Sequence, residues 1–181
     1  MLTPIHATTV LAVRHNGQIA IGADGQATMG NTVAKGNVRK LRPLLNGKIK
    51  VGFAGSTADA FSLLERFEEK LNAYGGNMKR GAIELAKDWR TDRFLRRLEA
   101  MMIAVDKDEI LIISGTGDVL EPEDNVASIG SGSNYARAAA LALTKHAAHL
   151  TAEQIVREGL TVAADICIYT NHNFIIETMD N

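Results

Sequence analysis

Two adjacent threonines, Thr8 and Thr9, begin an apolar run close to the first methionine. A threonine hydroxyl is a weak nucleophile near neutral pH unless a base takes its proton. An N-terminal threonine carries such a base in its own α-amine, whose ordinary pKa of about 7.7 to 8.0 is close to operating pH. This chemistry requires cleavage of the Ala7–Thr8 bond. Because paired threonines before a β-branched residue also begin ordinary strands, these residues alone leave both interpretations open.

Two further groups of residues have suitable types but lack the spacing of a known site. The loop Gly130-Ser131-Gly132-Ser133 precedes a predicted helix and can cradle phosphate, but the third glycine of the dinucleotide fingerprint is missing. The loop also lacks the G-x-S-x-G elbow of serine hydrolases, since residue 129 is isoleucine. His146 and His149 have no nearby carboxylate or cysteine to complete a metal site. A tight turn and exposed histidines are the favoured interpretations.

Composition indicates one ordinary globular domain. The 181 residues are 46% hydrophobic and 23% charged, with a formal net charge of -1, which argues against a nucleic-acid binder. The single cysteine, Cys167, excludes an internal disulfide and is expected to be buried, which fits a reducing compartment. Residues 1–7 lack the features of a secretory signal, and no stretch reaches the roughly 20 apolar residues that span a bilayer. We therefore expect a cytoplasmic protein.

The element that carries the two threonines is predicted to be the first strand of a hairpin. Asn16-Gly17 and Asn46-Gly47 each join two apolar runs, and this dipeptide is the strongest short signal for a hairpin. The predicted strands are residues 8–14, 18–23, 40–45 and 48–54, with a looser segment over residues 26–39. Two such hairpins imply an antiparallel sheet.

Helical patterns arrive in pairs between sets of strands. Ser56 with Asp59 predicts a helix start, and Thr151 with Gln154 predicts a capping box. The predicted order is strands, two helices, a hairpin at residues 101–114 with strand pieces to residue 129, two helices, and a closing strand at residues 174–176. The second helix of the first pair continues or restarts through Leu98. This order favours an α+β fold in which two sheets pack face to face with a helical layer outside each.

Eight short strings, in order over nearly the whole chain, match the pattern of one family. They are Thr8-Thr9, Gly25-Gln26, Gly30-Asn31-Thr32-Val33, Gly52-Phe53-Ala54-Gly55, Ala58-Asp59-Ala60-Phe61, Leu85-Ala86-Lys87-Asp88-Trp89-Arg90, Gly130-Ser131-Gly132 and Asp165-Ile166-Cys167-Ile168-Tyr169-Thr170. On these strings the chain resembles the bacterial HslV (ClpQ) peptidases, relatives of proteasome β-subunits among the N-terminal nucleophile hydrolases. The resemblance implies a four-layer αββα sandwich and a threonine-type endopeptidase that works inside two stacked hexameric rings of identical subunits.

The resemblance also assigns roles to individual residues. Thr8 matches the nucleophile, Asp24 and Lys40 match the acidic and basic residues beside it, and Ser131 matches a serine near the amine. The backbone N–H of Gly52 matches the donor to the oxyanion. The chemistry agrees with these roles, since a nearby ammonium stabilises a developing alkoxide and favours the neutral amine, and a carboxylate holds that ammonium in place.

The family binds a monovalent cation, commonly sodium, through main-chain carbonyls that match Ala164, Cys167 and Thr170. Ala164 stands where relatives often have glycine, and a left-handed backbone there would be costly for alanine. The family's partner is the hexameric ATPase unfoldase HslU (ClpY), which supplies unfolded protein substrates. The chain itself has no Walker motif, so we expect it to bind no nucleotide. Neither a nucleic acid nor a membrane is expected as a partner.

The segment before Thr8 departs from many relatives, which have only a methionine before the matching threonine. We expect residues 1–7 to be a propeptide removed on maturation and residues 8–181 to be a single peptidase domain. Cleavage after Ala7 could be autocatalytic or the work of another protease. Two other hypotheses stay open: a catalytically silent ring subunit, and a small-molecule amidase with the same N-terminal chemistry. The presence of Asp24, Lys40 and Ser131 argues against the silent subunit.

Overall fold

The computed structural model describes residues 8–98 and 100–179, so the expected propeptide lies outside the described residues. The strands are β1 (Thr9–His15), β2 (Gln18–Ala23), β3 (Ala27–Met29), β4 (Thr32–Lys35), β5 (Leu41–Leu44), β6 (Ile49–Gly55), β7 (Ala100–Val105), β8 (Ile110–Ser114), β9 (Val119–Leu120), β10 (Val126–Gly130) and β11 (Ile175–Met179). The helices are α1 (Thr57–Ala73), α2 (Met78–Thr91), α3 (Ser133–His146) and α4 (Ala152–Ile166). The predicted order of strands and helices is confirmed.

Local signals in the sequence explain where these elements begin and turn. Asn16 and Gly17 have φ values of 51° and 76°, which is the left-handed pair that a tight hairpin turn between β1 and β2 requires. Ser56 Oγ accepts the Asp59 N–H at 3.2 Å and caps α1. Thr151 forms both bonds of the predicted capping box at the start of α4.

The strands form two main sheets in which every neighbouring pair is antiparallel. One sheet has the order β10-β1-β2-β11 and the other has the order β5-β6-β7-β8-β9. A separate two-stranded sheet joins β3 to β4. This small hairpin lies in the segment that the sequence predicts to be loose. Its strands are three and four residues long and mostly exposed, so they carry no apolar alternation that a sequence pattern could detect.

Three layers of apolar side chains hold the fold together. Alternate residues of β1 point to opposite faces, so Val10 packs between the two sheets while Leu11 packs against α3 and α4. On the far side of the second sheet, Phe53 packs with Phe67 of α1 and Trp89 of α2. Both faces of β1 are therefore buried, and its run of apolar residues is continuous for that reason. The predicted αββα architecture is confirmed.

One alternative left open by the sequence is decided here, and one strand boundary differs from the prediction. The helix α2 ends at Thr91, and the chain restarts as a short 3₁₀ turn, Leu95–Arg97. The carboxylate of Asp92 accepts the backbone N–H groups of Phe94 and Leu95 and so ends the α-helix. The closing strand β11 also runs further than predicted, because it pairs with β2 along its length. Within the described residues, no helix is long and apolar enough to cross a membrane.

Candidate active site

Thr8 immediately precedes β1 and is 5% exposed. It forms part of the wall of a narrow pocket between the ends of the two sheets. Most of the other lining residues are apolar side chains or cations, and the full set is Gln26, Ala27, Val38, Arg39, Lys40, Arg42, Phe53, Gly55, Ser56, Ala60, Phe61 and Leu64. The Arg42 guanidinium carbon lies 5.6 Å from the centre of the Phe61 ring, so cation–π attraction orders one wall. The pocket can therefore accept an apolar group beside the Thr8 side chain.

The structure brings Asp24 and Lys40 together next to Thr8. Asp24 follows β2, Lys40 precedes β5, and Lys40 Nζ donates to Asp24 Oδ1 at 2.7 Å. Asp24 is 1% exposed and Lys40 is 9% exposed. Burial lowers the pKa of the Lys40 ammonium below its ordinary value, while the charge and hydrogen bond of Asp24 raise the pKa and offset part of that shift. A buried ammonium thus forms part of the wall of the pocket that contains Thr8.

The carboxylate of Asp24 also accepts three backbone N–H groups. Thr9 N–H donates to Oδ1 at 2.9 Å, and the N–H groups of Gln26 and Asn171 donate to Oδ2 at 3.1 Å and 3.2 Å. A carboxylate removed from water is stable only when its oxygens are bonded in this way. The network fixes Asp24, and with it Lys40, relative to the start of β1.

Ser131 directly follows β10 and is exposed in the chain. Thr9 pairs with Gly130 in the antiparallel ladder of β1 and β10, so continuation of this register places Ser131 opposite Thr8. Gly130 has a φ of 97°, and a Cβ atom there would lie 2.0 Å from Thr8 O. Only glycine permits this close approach of the two backbones. Gly130 thus lets the end of β10 approach the start of β1 closely.

Gly52 lies inside β6, where an added Cβ would come within 2.5 Å of Val10 Cγ1. Phe53 N–H donates towards β5, to Lys40 O at 3.3 Å. Successive N–H groups of a strand point to opposite sides, so the N–H of Gly52 faces β7 and the N–H of Gly55 faces the side of β5. Gly55 also lines the Thr8 pocket and has a φ of 137°. The role of Gly52 stays a prediction, and Gly55 is a second candidate donor to an oxyanion.

The three expected cation ligands lie at one end of α4. Ala164 is in the last turn of the helix, Cys167 follows the helix, and Cys167 O accepts the Thr170 N–H at 3.1 Å. Ala164 has helical backbone, so the cost of a left-handed alanine does not arise. A helix C-terminus presents carbonyl oxygens and partial negative charge, which fits a hard monovalent cation. Cys167 is buried, as predicted.

Other candidates from the sequence lie elsewhere. His146 and His149 are exposed at the end of α3 and just beyond it. In the part of the chain that the structure describes, no three His, Cys, Asp or Glu side chains gather as a metal site. A groove of about 910 Å³ lies at the Ile49 end of β6, away from Gly55 and Thr8. It does not contain the Asp24–Lys40 pair, so we assign no chemistry to it.

Comparison with known proteins decides the family. A family model described as "Proteasome subunit" matches residues 5–179. The chain belongs to the proteasome subunit family. It is 74% identical over 174 residues to the ATP-dependent protease subunit HslV of Cytophaga hutchinsonii, covering 96% of this chain and 97% of the relative. It is 55% identical over 178 residues to the protein of the same name from Staphylococcus aureus, covering 98% of both chains.

Solved structures agree with this assignment to the proteasome subunit family. The crystal structure of eukaryotic HslV from Trypanosoma brucei matches with a TM-score of 0.91 and 43% identity, covering 96% of this chain and 99% of that one. The structure of Thiobacillus denitrificans BPH, at 24% identity and a TM-score of 0.72, shows the shared fold alone. The predicted resemblance, fold and enzyme class are confirmed: this proteasome family member is a peptidase subunit of an ATP-dependent protease.

Proposed function

We propose that the chain, once residues 1–7 are removed, cleaves peptide bonds of unfolded proteins with Thr8 Oγ as the nucleophile. The observation that carries this proposal is the buried Asp24–Lys40 pair, joined at 2.7 Å, beside the pocket that Thr8 lines. A buried ammonium next to a threonine hydroxyl has a chemical use that a surface lysine lacks, because its charge acts in a site of low dielectric constant.

In the first half of the reaction, the α-amine of Thr8 accepts the proton of Oγ as Oγ bonds to the substrate carbonyl carbon. The charge of Lys40 lowers the energy of the developing alkoxide and keeps the amine neutral. The same amine then gives the proton to the leaving nitrogen as the C–N bond breaks. An ester between Thr8 Oγ and the acyl part of the substrate remains.

In the second half, a water molecule gives a proton to the Thr8 amine and attacks the ester carbonyl. The ester bond breaks, the proton returns to Oγ, and the free acid leaves. In both halves, a backbone N–H stabilises the oxyanion, for which a distance of about 2.7 to 3.1 Å is required. The resemblance favours the N–H of Gly52, whereas the direction of the N–H groups along β6 favours that of Gly55. Ser131, opposite Thr8 in the strand register, orients the amine or relays its proton.

The carbonyls of Ala164, Cys167 and Thr170 would hold a monovalent cation, with sodium as the first choice. When bound, the ion would supply positive charge to neutralise the carbonyl dipoles at the end of α4. Its contribution is to hold the segment between α4 and β11 in one conformation. That segment carries Asn171, whose N–H bonds to Asp24.

The assembly is proposed to be two stacked hexameric rings of this chain, capped by a hexameric ATPase unfoldase of the HslU (ClpY) type in the cytoplasm. The similarity to proteins named as subunits of an ATP-dependent protease supports a partner that uses ATP. The full sequence carries no Walker motif, which supports a power source in another chain.

Labelling with a peptide epoxyketone tests the proposal. This reagent forms a stable ring only with a nucleophile that also carries a free α-amine, so it should label Thr8 of the mature chain once per subunit. Peptide mapping by mass spectrometry locates the label. A label on another residue, or none in a preparation that hydrolyses peptides, would contradict the mechanism. A small-molecule amidase would instead cleave short amides while leaving unfolded protein intact in the presence of the ATPase.

A further inference from the structure

Asn171 lies in the segment between α4 and β11 and connects three separate parts of the chain. Its Oδ1 accepts the N–H of Gly25 at 3.1 Å, and its Nδ2 donates to the carbonyl of Gly36 at 2.8 Å. Its own backbone N–H donates to Asp24 Oδ2 at 3.2 Å. One residue therefore binds the carboxylate of Asp24 and the two chain segments on either side of the loop that contains β3 and β4.

Those two segments lead directly to the catalytic pair. Gly25 follows Asp24, while Gly36 comes four residues before Lys40 in the sequence. The segments are already tightly packed, because a Cβ atom on Gly25 would lie 2.6 Å from Gly36 O. The Asn171 amide bonds to both sides of this contact, so it fixes the separation of the segments that carry Asp24 and Lys40.

The two oxygens of Asp24 have different partners. Oδ1 accepts from Lys40 Nζ and from Thr9 N–H, whereas the described donors to Oδ2 are the backbone N–H groups of Gln26 and Asn171. The bonds to Oδ2 set the plane of the carboxylate, and the plane determines where Oδ1 meets the ammonium. Removal of the Asn171 side chain breaks its bonds to Gly25 and Gly36. Those bonds hold the backbone N–H of Asn171 in place against Asp24 Oδ2.

We propose that Asn171 is a positioning residue that holds the Asp24 carboxylate in the orientation required to place Lys40 beside Thr8. Asn171 does not line the Thr8 pocket, and its described bonds lead to Asp24, Gly25 and Gly36. Its effect on the rate therefore passes through Asp24. This inference rests on the proposed role of Lys40 in threonine catalysis.

A matched control is available two residues away. Asn173 Nδ2 donates to the same Gly36 carbonyl at 2.8 Å, but the described contacts of Asn173 include neither Gly25 nor Asp24. Asn173→Ala removes one bond to Gly36 and keeps the Asn173 backbone N–H, which bonds to Asn171 Oδ1. A general weakening of this loop would affect both variants alike, whereas loss of the connection to Asp24 affects Asn171 variants alone.

The experiment compares the parent protein, Asn171→Ala, Asn171→Ser and Asn173→Ala, each assembled and shown by mass to begin at Thr8. Hydrolysis of a fluorogenic peptide gives kcat and KM across a pH series. We expect Asn171→Ala to lower kcat by about 10- to 10²-fold with KM changed less than twofold, since small displacements of a catalytic group cost this much. Asn171→Ser, which keeps one hydroxyl, should give an intermediate kcat, and Asn173→Ala should match the parent.

The pH profile supplies a readout that a purely structural role would not move. If Asp24 no longer faces Lys40 well, it raises the pKa of Lys40 less, and the lowering of that pKa by burial is offset less. The alkaline limb of the profile of kcat against pH then shifts to lower pH. The inference would be overturned if Asn171→Ala and the parent had the same kcat and the same alkaline limb in their pH profiles. Failure of both Asn171 variants to assemble would assign the residue to folding and also overturn it. An inactive mature parent would instead refute the proposed function.

Discussion

Lys40 Nζ and Asp24 Oδ1 lie 2.7 Å apart, and their side chains are 7% and 0% exposed. Placing two such charges in a protein interior is costly, and the mutual attraction repays that cost only with good geometry and further hydrogen bonds. Here three backbone N–H groups complete the set of bonds to the carboxylate. With this support, the ion pair can keep its ammonium buried in the wall of the pocket that Thr8 lines.

Thr8→Ala should abolish peptide hydrolysis and leave the fold intact. The change removes a hydroxyl and a methyl group at a strand end and should cost only about 1 kcal/mol of unfolding free energy. Both parent and variant should be produced so that residue 8 is the N-terminus, because a variant without the nucleophile cannot process itself. Hydrolysis of a fluorogenic peptide and thermal unfolding are the measurements.

Thr9→Ala is the control for that variant. Thr9 Oγ1 lies 2.8 Å from Thr170 Oγ1, so its loss removes one buried hydrogen bond worth about 1 kcal/mol. The variant should therefore be slightly less stable than the parent and retain most of its activity. Parent-level hydrolysis by Thr8→Ala would show that another group is the nucleophile.

Lys40→Ala should lower turnover by at least about 10²-fold, since electrostatic stabilisation of this kind is worth several kcal/mol. Lys40→Arg should restore little, because a planar guanidinium does not fit the place of a compact ammonium. Removal of Lys40 also takes the ammonium partner away from the buried carboxylate of Asp24, and we expect a loss of about 3 kcal/mol in unfolding free energy. Turnover should therefore be measured on folded, assembled protein that begins at Thr8. Full activity of that material would remove Lys40 from the mechanism.

The pH dependence follows from the lowered pKa of Lys40. Its ordinary value is 10.5, and burial lowers the pKa while Asp24 raises it in part. Activity that needs the charged ammonium is present below the pKa of Lys40 in the folded protein and is lost as pH rises through that pKa. The alkaline limb of the activity profile should therefore lie below pH 10.5. Asp24→Asn removes the charge that raises the pKa, and the limb should move to still lower pH.

An exposed carboxylate provides the control for the pH experiment. The side chain of Asp108 is 69% exposed and lies in the turn between β7 and β8, at the groove end of β6. Asp108→Asn changes the net charge of the chain as Asp24→Asn does, but it should leave the alkaline limb in place. If the alkaline limb moved equally in Asp24→Asn and Asp108→Asn, the shift would be due to net charge rather than to the Asp24–Lys40 pair.

Sequence patterns predicted the features of the fold that depend on neighbouring residues. The turn at Asn16-Gly17 and the cap at Ser56 follow from local backbone chemistry and are confirmed. The hairpin of β3 and β4 was missed because its short exposed strands carry no apolar period. The site depends on distant contacts instead: Asp24 meets Lys40 across 16 residues and Asn171 across 147. Family resemblance anticipated the first contact, and no residue pattern indicated the second.

Dependence on a partner ATPase is a separate prediction. The chain alone should hydrolyse short peptides weakly and should not degrade a folded protein. Addition of the hexameric unfoldase and ATP should produce degradation, which is followed as loss of a folded fluorescent substrate. Thr8→Ala with the same ATPase should unfold the substrate without cleaving it. Nucleotide-dependent degradation by this chain without any partner would contradict the proposed division of labour.

An N-terminal nucleophile at Thr8 requires a free amine there, and the intact mass of the active protein shows whether that amine exists. Peptidase activity and intact mass should be measured on the same purified, assembled sample. We expect active subunits to have the mass of residues 8–181, with Thr8 at the N-terminus. Full activity in a sample whose subunits all retain Met1 to Ala7 would exclude Thr8 as an N-terminal nucleophile, since Thr8 would then have no free amine.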